Sequence, residues 1–243
     1  VNPWAGLHAF PGLSASMLEQ LNENLELKNP RLKSSFPHRS RPIEEAPANV
    51  LQSLNSAVVL RTLVNRLDPQ DTIMVGNSSV IRDAERALEA WPEGMSISCS
   101  RGVNGIDGHL STAAGIAASK AKGRTYLVCG DLTTLHDVNG LFLANEHQVK
   151  IIVVNNLGGR IFDRLPFANS TKPFTKFFRT QSPINITALA KGAGIDAITV
   201  SNHEEFTNTL DILLACSDCM LLNVMVDHNA DEVWRDSLVG SGA

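Results

Sequence analysis

The feature that most constrains this chain is a regular alternation of short apolar runs with longer helix-like segments, which begins near residue 49. The apolar runs are rich in β-branched residues, and this is typical of strands that helices cover on both faces. The strands are predicted at 71–76, 95–100, 124–130, 150–156, 197–200 and 219–226. Helices are predicted at 50–67, 79–91, 109–121, 135–147, 185–194 and 203–215. The alternation therefore predicts an α/β fold with one doubly wound, mostly parallel six-stranded sheet and helices on both faces.

The alternating pattern also divides the chain into parts. Residues 1–48 are rich in Pro, Asn and Ser, and we expect a linker or the tail of a preceding domain there, with one helix in 14–27. Residues 49–232 are predicted to form one α/β domain, and residues 233–243 a C-terminal tail.

Charge and hydropathy narrow the functional classes. The formal net charge is −4, which disfavours nucleic acid as a partner because phosphate backbones bind to basic surfaces. No apolar run reaches the length of a membrane span, and the first residues lack the pattern of a secretory signal. The four cysteines do not form a disulfide framework, so we expect a cytoplasmic protein.

Two polar sequences follow adjacent apolar runs. Gly130 ends one predicted strand and Asp131 follows it directly. Asn156 ends the next predicted strand. The carboxyl ends of parallel strands meet at one edge of a sheet, where ligands bind, so Asp131 and Asn156 are predicted neighbours. Their oxygens suit Mg²⁺ with a diphosphate, although each sequence taken alone is equally typical of a turn or a helix cap.

Taken together, the motifs resemble a known family. They are "VGNSSVIRDAE", "SRGVNGIDGHLSTAAG", "GDLTTLHDVNGL" and "VVNNLGGRIFDRLP". The spaced Gly-Asp and Asn-Asn pairs resemble the cofactor motif of thiamin-diphosphate-dependent enzymes, with Leu132 in place of the usual third glycine. The whole set is similar to the 2-succinyl-5-enolpyruvyl-6-hydroxy-3-cyclohexene-1-carboxylate synthase family of menaquinone biosynthesis.

The resemblance implies a cofactor and a metal, thiamin diphosphate with Mg²⁺ or Mn²⁺. Asp131, Asn156 and the carbonyl of Gly158 match the metal ligands. The residues that match diphosphate contacts are Gly130, Leu132 and Thr133. Ile106 matches the bulky residue that holds the cofactor in its bent form, where proton abstraction is local.

The resemblance also implies the substrates, which are small carboxylates. The family decarboxylates 2-oxoglutarate and adds the resulting four-carbon unit to isochorismate. Ser78, Arg82 and Arg101 match substrate-binding residues, and guanidinium groups grip carboxylates bidentately. Three further residues match the apolar lining of the catalytic site: Ile161, Phe162 and Leu165.

Enzymes of this family pair a pyrophosphate-binding domain with a pyrimidine-binding domain that supplies an activating glutamate. All of the matched motifs belong to the pyrophosphate-binding half. The resemblance therefore implies a partner domain, in the same or another chain, and a homodimer or homotetramer. Three alternatives stay open: another thiamin-dependent carboligase or decarboxylase, a non-catalytic scaffold subunit and, least favoured because no G-x-G-x-x-G follows the first strand, a nicotinamide-binding fold.

Overall fold

The fold is taken from a computed structural model of the chain. It describes residues 52–239, except 89–90, 103, 120–121, 166–167, 169–173 and 182–183. The expected linker at 1–48 and its helix lie outside the described residues.

Six parallel strands form one sheet. In chain order they are β1 (Thr72–Val75), β2 (Ser96–Cys99), β3 (Thr125–Gly130), β4 (Lys150–Asn155), β5 (Asp196–Val200) and β6 (Met220–Met225). Their order across the sheet is β2-β1-β3-β4-β6-β5, and every neighbouring pair is parallel. The predicted α/β class and the six-stranded sheet are confirmed.

The helices cover both faces of this sheet. They are α1 (Ser56–Val64), α2 (Ser79–Ala87), α3 (His109–Ser119), α4 (Asp131–His136), α5 (Gly140–Glu146), α6 (Ile186–Gly192), α7 (His203–Ala215) and α8 (His228–Val239). Side chains alternate between the faces along each strand. Ile73 and Val75 of β1 thus join a core with α1, α2 and α7, whereas Met74 joins a second core with α3, α5 and α6.

Three details differ from the sequence-based expectation. The edge strands β2 and β5 are largely exposed, and each has a hydrogen-bonded neighbour on one side only among the described strands. The helix predicted at 135–147 is two helices, α4 and α5, and the first begins at Asp131 itself. The expected domain boundary at residue 232 falls inside α8, whose Trp234 is buried against α1 and α2.

The strand order fixes where a ligand crevice can form. The connection from β1 leads to β2 on one side, and the chain then crosses to β3 on the other side of β1. Such a reversal leaves a crevice beyond the carboxyl ends of β1 and β3, where α/β proteins bind their ligands. The segments that follow these two strands begin at Gly76 and Asp131.

Candidate functional site

A cavity of about 270 Å³ lies at this switch point. All but one of the residues singled out from the sequence line it, although they come from segments far apart in the chain. These are Ser78, Arg82, Arg101, Ile106, Gly130, Asp131, Leu132, Thr133, Asn156, Gly158, Ile161 and Phe162. Leu165 does not line the cavity, because it ends the 3₁₀ turn Arg160–Arg164 with an extended backbone. The individual roles of these residues stay predictions.

Asp131 is the buried acid of the cavity. It is 6% exposed, and its Oδ2 accepts a hydrogen bond of 2.7 Å from the backbone N–H of Gly158. Burial raises the pKa of this carboxyl to about 6, against the lowering effect of backbone hydrogen bonds and of Arg160. A charge that costs this much to bury indicates a carboxylate built to meet a cation.

The two asparagines at the end of β4 behave differently. Both polar atoms of the Asn155 side chain are hydrogen-bonded: its Nδ2 donates to Asn223 Oδ1 at 3.1 Å, and its Oδ1 accepts from Leu157 N–H at 3.0 Å. The Oδ1 of Asn156 is buried and has no hydrogen-bond partner among the described residues. Because buried acceptors are normally satisfied, this oxygen is a candidate ligand for a bound cation.

The loop after Asn156 needs its two glycines. Gly158 has a φ of +120°, and a Cβ there would lie 2.4 Å from the carbonyl oxygen of Arg179. The same Arg179 carbonyl accepts a hydrogen bond from Gly159 N–H at 2.5 Å, which fixes the loop against the segment Thr175–Arg179. The carbonyl of Gly158, the expected third metal ligand, accepts from Arg160 N–H at 2.8 Å and keeps its second lone pair.

Cationic side chains outnumber anionic ones in the lining. Arg82, Arg101 and Arg160 face the cavity together with one carboxylate, that of Asp131, so the lining carries a positive excess. The Nη1 of Arg82 reaches back 2.5 Å to the carbonyl of Ser78, at the start of α2. Ser78 itself has a φ of +71°, a strained conformation for a non-glycine residue of the kind that collects at functional sites.

Another part of the lining is apolar. Ile106 and Ile161 are half-buried, and Phe162 is 40% exposed. The ring of Phe162 meets Phe178 edge to face at 6.0 Å, and Phe178 stacks on Phe174 at 5.4 Å. This aromatic group gives the cavity an apolar wall.

Asn77 and Arg160 are among the lining residues that escaped the sequence-based prediction. Asn77 directly follows Gly76 at the exit of β1, and its position after a strand was the available signal. Arg160 was assigned to the surface, but its Nε donates to the carbonyl of Asn156 at 3.2 Å and its Nη1 to Asp163 at 3.3 Å. Arg164, assigned to the surface likewise, pairs with Glu232 and Asp236 outside the cavity.

These features fit a divalent cation held together with a diphosphate. In the described part of the chain, no group of three or more His, Cys, Asp and Glu side chains can hold a metal ion alone. The donors at the predicted positions are instead one carboxylate, the unpaired carboxamide oxygen of Asn156 and one carbonyl, a hard-oxygen set that Mg²⁺ completes with phosphate oxygens. The Oδ1 of Asn77, which also lines the cavity, is likewise buried without a partner among the described residues. The three arginines add positive charge to the same cavity, which suits anionic ligands.

A parallel sheet with a cation-lined cavity at its switch point is the architecture of coenzyme-binding α/β domains. The chain belongs to the family "Thiamine pyrophosphate enzyme, C-terminal TPP binding domain", whose pattern matches residues 76–224. Thiamine pyrophosphate is thiamin diphosphate, so the predicted family of cofactor-binding domains is confirmed.

Curated relatives carry a more specific name, 2-succinyl-5-enolpyruvyl-6-hydroxy-3-cyclohexene-1-carboxylate synthase. The protein of this name from Trichodesmium erythraeum is 39% identical over 176 residues, which are 71% of this chain and 30% of the relative. The protein from Staphylococcus epidermidis is 42% identical over 54% of this chain and 23% of its own length. The protein from Synechocystis sp. is 32% identical over 84% of this chain and 34% of its own length. The chain thus spans about a third of the length of these relatives. None of the helices in the described part of the chain has the length and apolar character needed to cross a membrane.

Proposed function

We propose that this chain is the cofactor-anchoring half of a thiamin-diphosphate- and Mg²⁺-dependent synthase (Mn²⁺ being the alternative metal). The reaction is decarboxylation of 2-oxoglutarate and addition of the resulting succinyl-type unit to isochorismate, in menaquinone biosynthesis. The observation that carries the proposal is the unpaired, buried Oδ1 of Asn156 in one cavity with Asp131 and three arginines. The names of the curated relatives support the choice of reaction.

Anchoring depends on Asp131 and Asn156. Their oxygens, with the carbonyl of Gly158, would hold the cation, and the backbone of Leu132 and Thr133 would lie along the diphosphate. A bound cation offsets the cost of burying the Asp131 charge, because an opposite charge favours the ionised form. The orphaned acceptor of Asn156 would gain its partner in the same event.

Substrate selection is assigned to Arg82, Arg101 and Ser78. Arg82 and Arg101 supply planar, permanently charged groups that orient carboxylates in two-point contacts. Ser78 adds a hydroxyl next to Arg82. Another thiamin-dependent carboligase reaction would need the same anchor. Two arginines suit the dicarboxylate 2-oxoglutarate better than the monocarboxylate pyruvate, so they favour the proposed reaction.

The apolar wall keeps water away from the reacting atoms. Ile161 and Phe162 provide this surface at the cavity, and Ile106 supports the bound cofactor from the loop between β2 and α3. When bound, thiamin diphosphate supplies an electron sink for decarboxylation and carbon–carbon bond formation. Water exclusion by these side chains protects a reactive carbon from stray protonation.

A complete site would need groups outside the matched third of the relatives. The activating glutamate is proposed to come from a pyrimidine-binding domain, in the same or another chain, within a homodimer or homotetramer. The aromatic group of Phe162 and Phe178 remains partly exposed, as expected of a cavity that another domain closes. A cytoplasmic location is part of the same proposal.

Titration calorimetry tests the anchor. Thiamin diphosphate is titrated into the chain with Mg²⁺ or with EDTA, alone and after mixing with the pyrimidine-binding segment of the Trichodesmium erythraeum relative. We expect Mg²⁺-dependent binding that Asp131→Ala reduces at least ~100-fold, since the substitution removes the charged metal ligand.

The matched control is Asp137→Ala. Asp137 lies six positions along the chain, accepts hydrogen bonds from Ser111 and does not line the cavity. It should keep wild-type affinity in any preparation that stays folded by circular dichroism. Absence of binding in both mixtures would overturn the cofactor proposal in favour of a scaffold role, and binding that ignores Mg²⁺ would overturn the metal site.

A further inference from the structure

Asn77 and His109 form a clamp on the loop that carries Ile106. This loop, Ser100–Gly108, connects β2 to α3, and most of its described residues are exposed or only half-buried. Apolar packing therefore contributes little to its order, and polar contacts must hold it. We propose that the Asn77–His109 pair is a positioning device that fixes Ile106 against the cofactor, an inference that rests on the proposed function.

Asn77 holds the loop from the strand side. It is fully buried at the exit of β1, and its Nδ2 donates both hydrogens to loop carbonyls, at 3.1 Å to Ser100 and at 2.6 Å to Gly105. Because an amide nitrogen is the donor that two carbonyls require, these contacts fix the orientation of the Asn77 side chain. One of the two carbonyls is adjacent to Ile106.

His109 holds the other side of Ile106. Its Nδ1 lies 3.1 Å from the carbonyl of Asp107, and its Nε2 lies 3.2 Å from the backbone nitrogen of Asn77. A carbonyl only accepts and a backbone N–H only donates, so Nδ1 carries the proton and Nε2 accepts. The imidazole, 1% exposed at the first residue of α3, is thus a neutral bridge with both nitrogens used.

The contacts close a ring around Ile106. The carbonyl of Gly105, which precedes Ile106, accepts from Asn77, and the carbonyl of Asp107, which follows Ile106, accepts from His109. The backbone N–H of Asn77 donates to His109, which closes the ring. Asn104 and Gly108, at the two ends of this short segment, adopt positive φ angles of 61° and 69°.

The test separates the two hydrogen bonds of His109. Replacing His109 by Asn puts an amide N–H donor at the position of Nδ1 and keeps the contact with Asp107. Replacing it by Gln puts an amide oxygen at the position of Nε2 and keeps the contact with the N–H of Asn77. Leu removes both contacts. We compare His109→Asn, His109→Gln and His109→Leu with His203→Gln, a control at an exposed position at the start of α7. Two quantities are measured: amide hydrogen exchange of residues 104–108 without cofactor, and Mg²⁺-dependent affinity for thiamin diphosphate in the mixture with the pyrimidine-binding segment.

We expect faster exchange in this loop for His109→Leu and His109→Gln, and affinity about tenfold weaker, roughly the value of one hydrogen bond. His109→Asn, which keeps the contact beside Ile106, should stay within about threefold of wild type by the same scale. In an Ile106→Ala background His109→Leu should cause no further loss, because its effect passes through Ile106. A merely structural histidine would instead weaken binding equally in both backgrounds.

Unchanged loop exchange in a folded His109→Leu chain would overturn the clamp. Faster exchange with unchanged affinity would overturn its role toward the cofactor. If the wild-type mixture binds no thiamin diphosphate, the proposed function falls, whereas the exchange measurement still decides whether His109 orders the loop. If His109→Leu does not fold, the His109→Asn and His109→Gln pair decides the question in the same way.

Discussion

At the residue scale, Asn155 and Asn156 are chemically identical neighbours with opposite environments. The first makes the hydrogen bonds of a structural residue, and the second buries an oxygen without a partner among the described residues. An unsatisfied buried acceptor costs about 1–3 kcal/mol of folding free energy. Under the proposed function, the bound cation removes this cost at Asn156.

This contrast gives a paired prediction. Asn156→Ala should leave the free energy of unfolding unchanged or raise it slightly, because it removes an unpaired group, yet weaken Mg²⁺-dependent cofactor binding at least ~10-fold. Asn155→Ala should instead cost about 1–3 kcal/mol of stability, because it leaves partners in β6 and in the loop unsatisfied. Urea unfolding and calorimetry on the same preparations measure both effects. Equal destabilisation by the two variants would contradict the assignment of Asn156 as a ligand-facing residue.

At the element scale, Asp163 joins three segments beside the cavity. Its carboxylate lies within 2.6 Å of Arg179 Nε, 3.3 Å of Arg160 Nη1 and 3.1 Å of His228 Nε2. The 3₁₀ turn Arg160–Arg164, the segment Thr175–Arg179 and the start of α8 are therefore tied at one point. Ile161 and Phe162 lie on the first of these segments, so the tie fixes the apolar wall.

His228 makes this joint sensitive to pH. Its proximity to Asp163 favours the charged ring, but burial, followed by the nearby Arg160, lowers the pKa of His228 below its ordinary 6.5. Two arginines already neutralise the Asp163 carboxylate, so we take the ring as neutral, with Nε2–H donating to Asp163. The unfolded chain then binds more protons than the folded one near this pKa, and stability falls as the pH drops through it.

We therefore expect the wild-type chain to lose stability relative to His228→Gln, which cannot titrate, as the pH falls from about 7.5 to below the ordinary histidine range. The glutamine amide can still donate to Asp163, so the two proteins should differ little at the upper pH. Denaturant unfolding across this range gives the difference directly. A wild-type protein that gains stability on acidification relative to the variant would show that the ion pair with Asp163 outweighs burial.

Sequence reasoning succeeded where a local pattern has one physical solution. Apolar runs such as the one ending at Gly130 could only be covered strands, and a parallel sheet then brings the strand exits together. The placement of Leu165 differs from the expectation, because this residue is not among those that line the cavity, and its role stays a prediction. Arg160 was placed at the surface because a loop arginine is normally exposed, yet it lines the cavity. Asn77 and α8 were missed because their importance depends on contacts distant in sequence, such as Trp234 with α1.

At the scale of the whole molecule, the cavity holds the groups for anchoring and orientation but no carboxylate beyond that of Asp131 among its lining residues. Under the proposed function, proton abstraction requires a further acid or base, which would come from the proposed pyrimidine-binding domain. We therefore expect this chain alone to bind thiamin diphosphate but not to convert the substrates.

The corresponding prediction is a complementation. The chain alone should show no turnover of 2-oxoglutarate with isochorismate above background, and addition of the pyrimidine-binding segment of a relative should produce it. Arg101→Ala in the same mixture should lower kcat/KM by about 10²-fold, the scale of a lost charged contact, while cofactor affinity stays constant. Chromatographic detection of substrate loss measures both, with pyruvate as the competing donor. Preference for pyruvate would point to a different carboligase.

Helix α8 connects the far end of the chain to the cavity. Arg235, 5% exposed, forms a two-point contact with Asp83 at 3.0 and 2.6 Å, and Asp83 follows Arg82 on α2. The helix that carries Arg82, the proposed substrate contact, is thus held in place by a residue some 150 positions later in the sequence. Selection for altered substrate preference in this protein should accordingly yield substitutions in its last two dozen residues, far from any atom that the substrate touches.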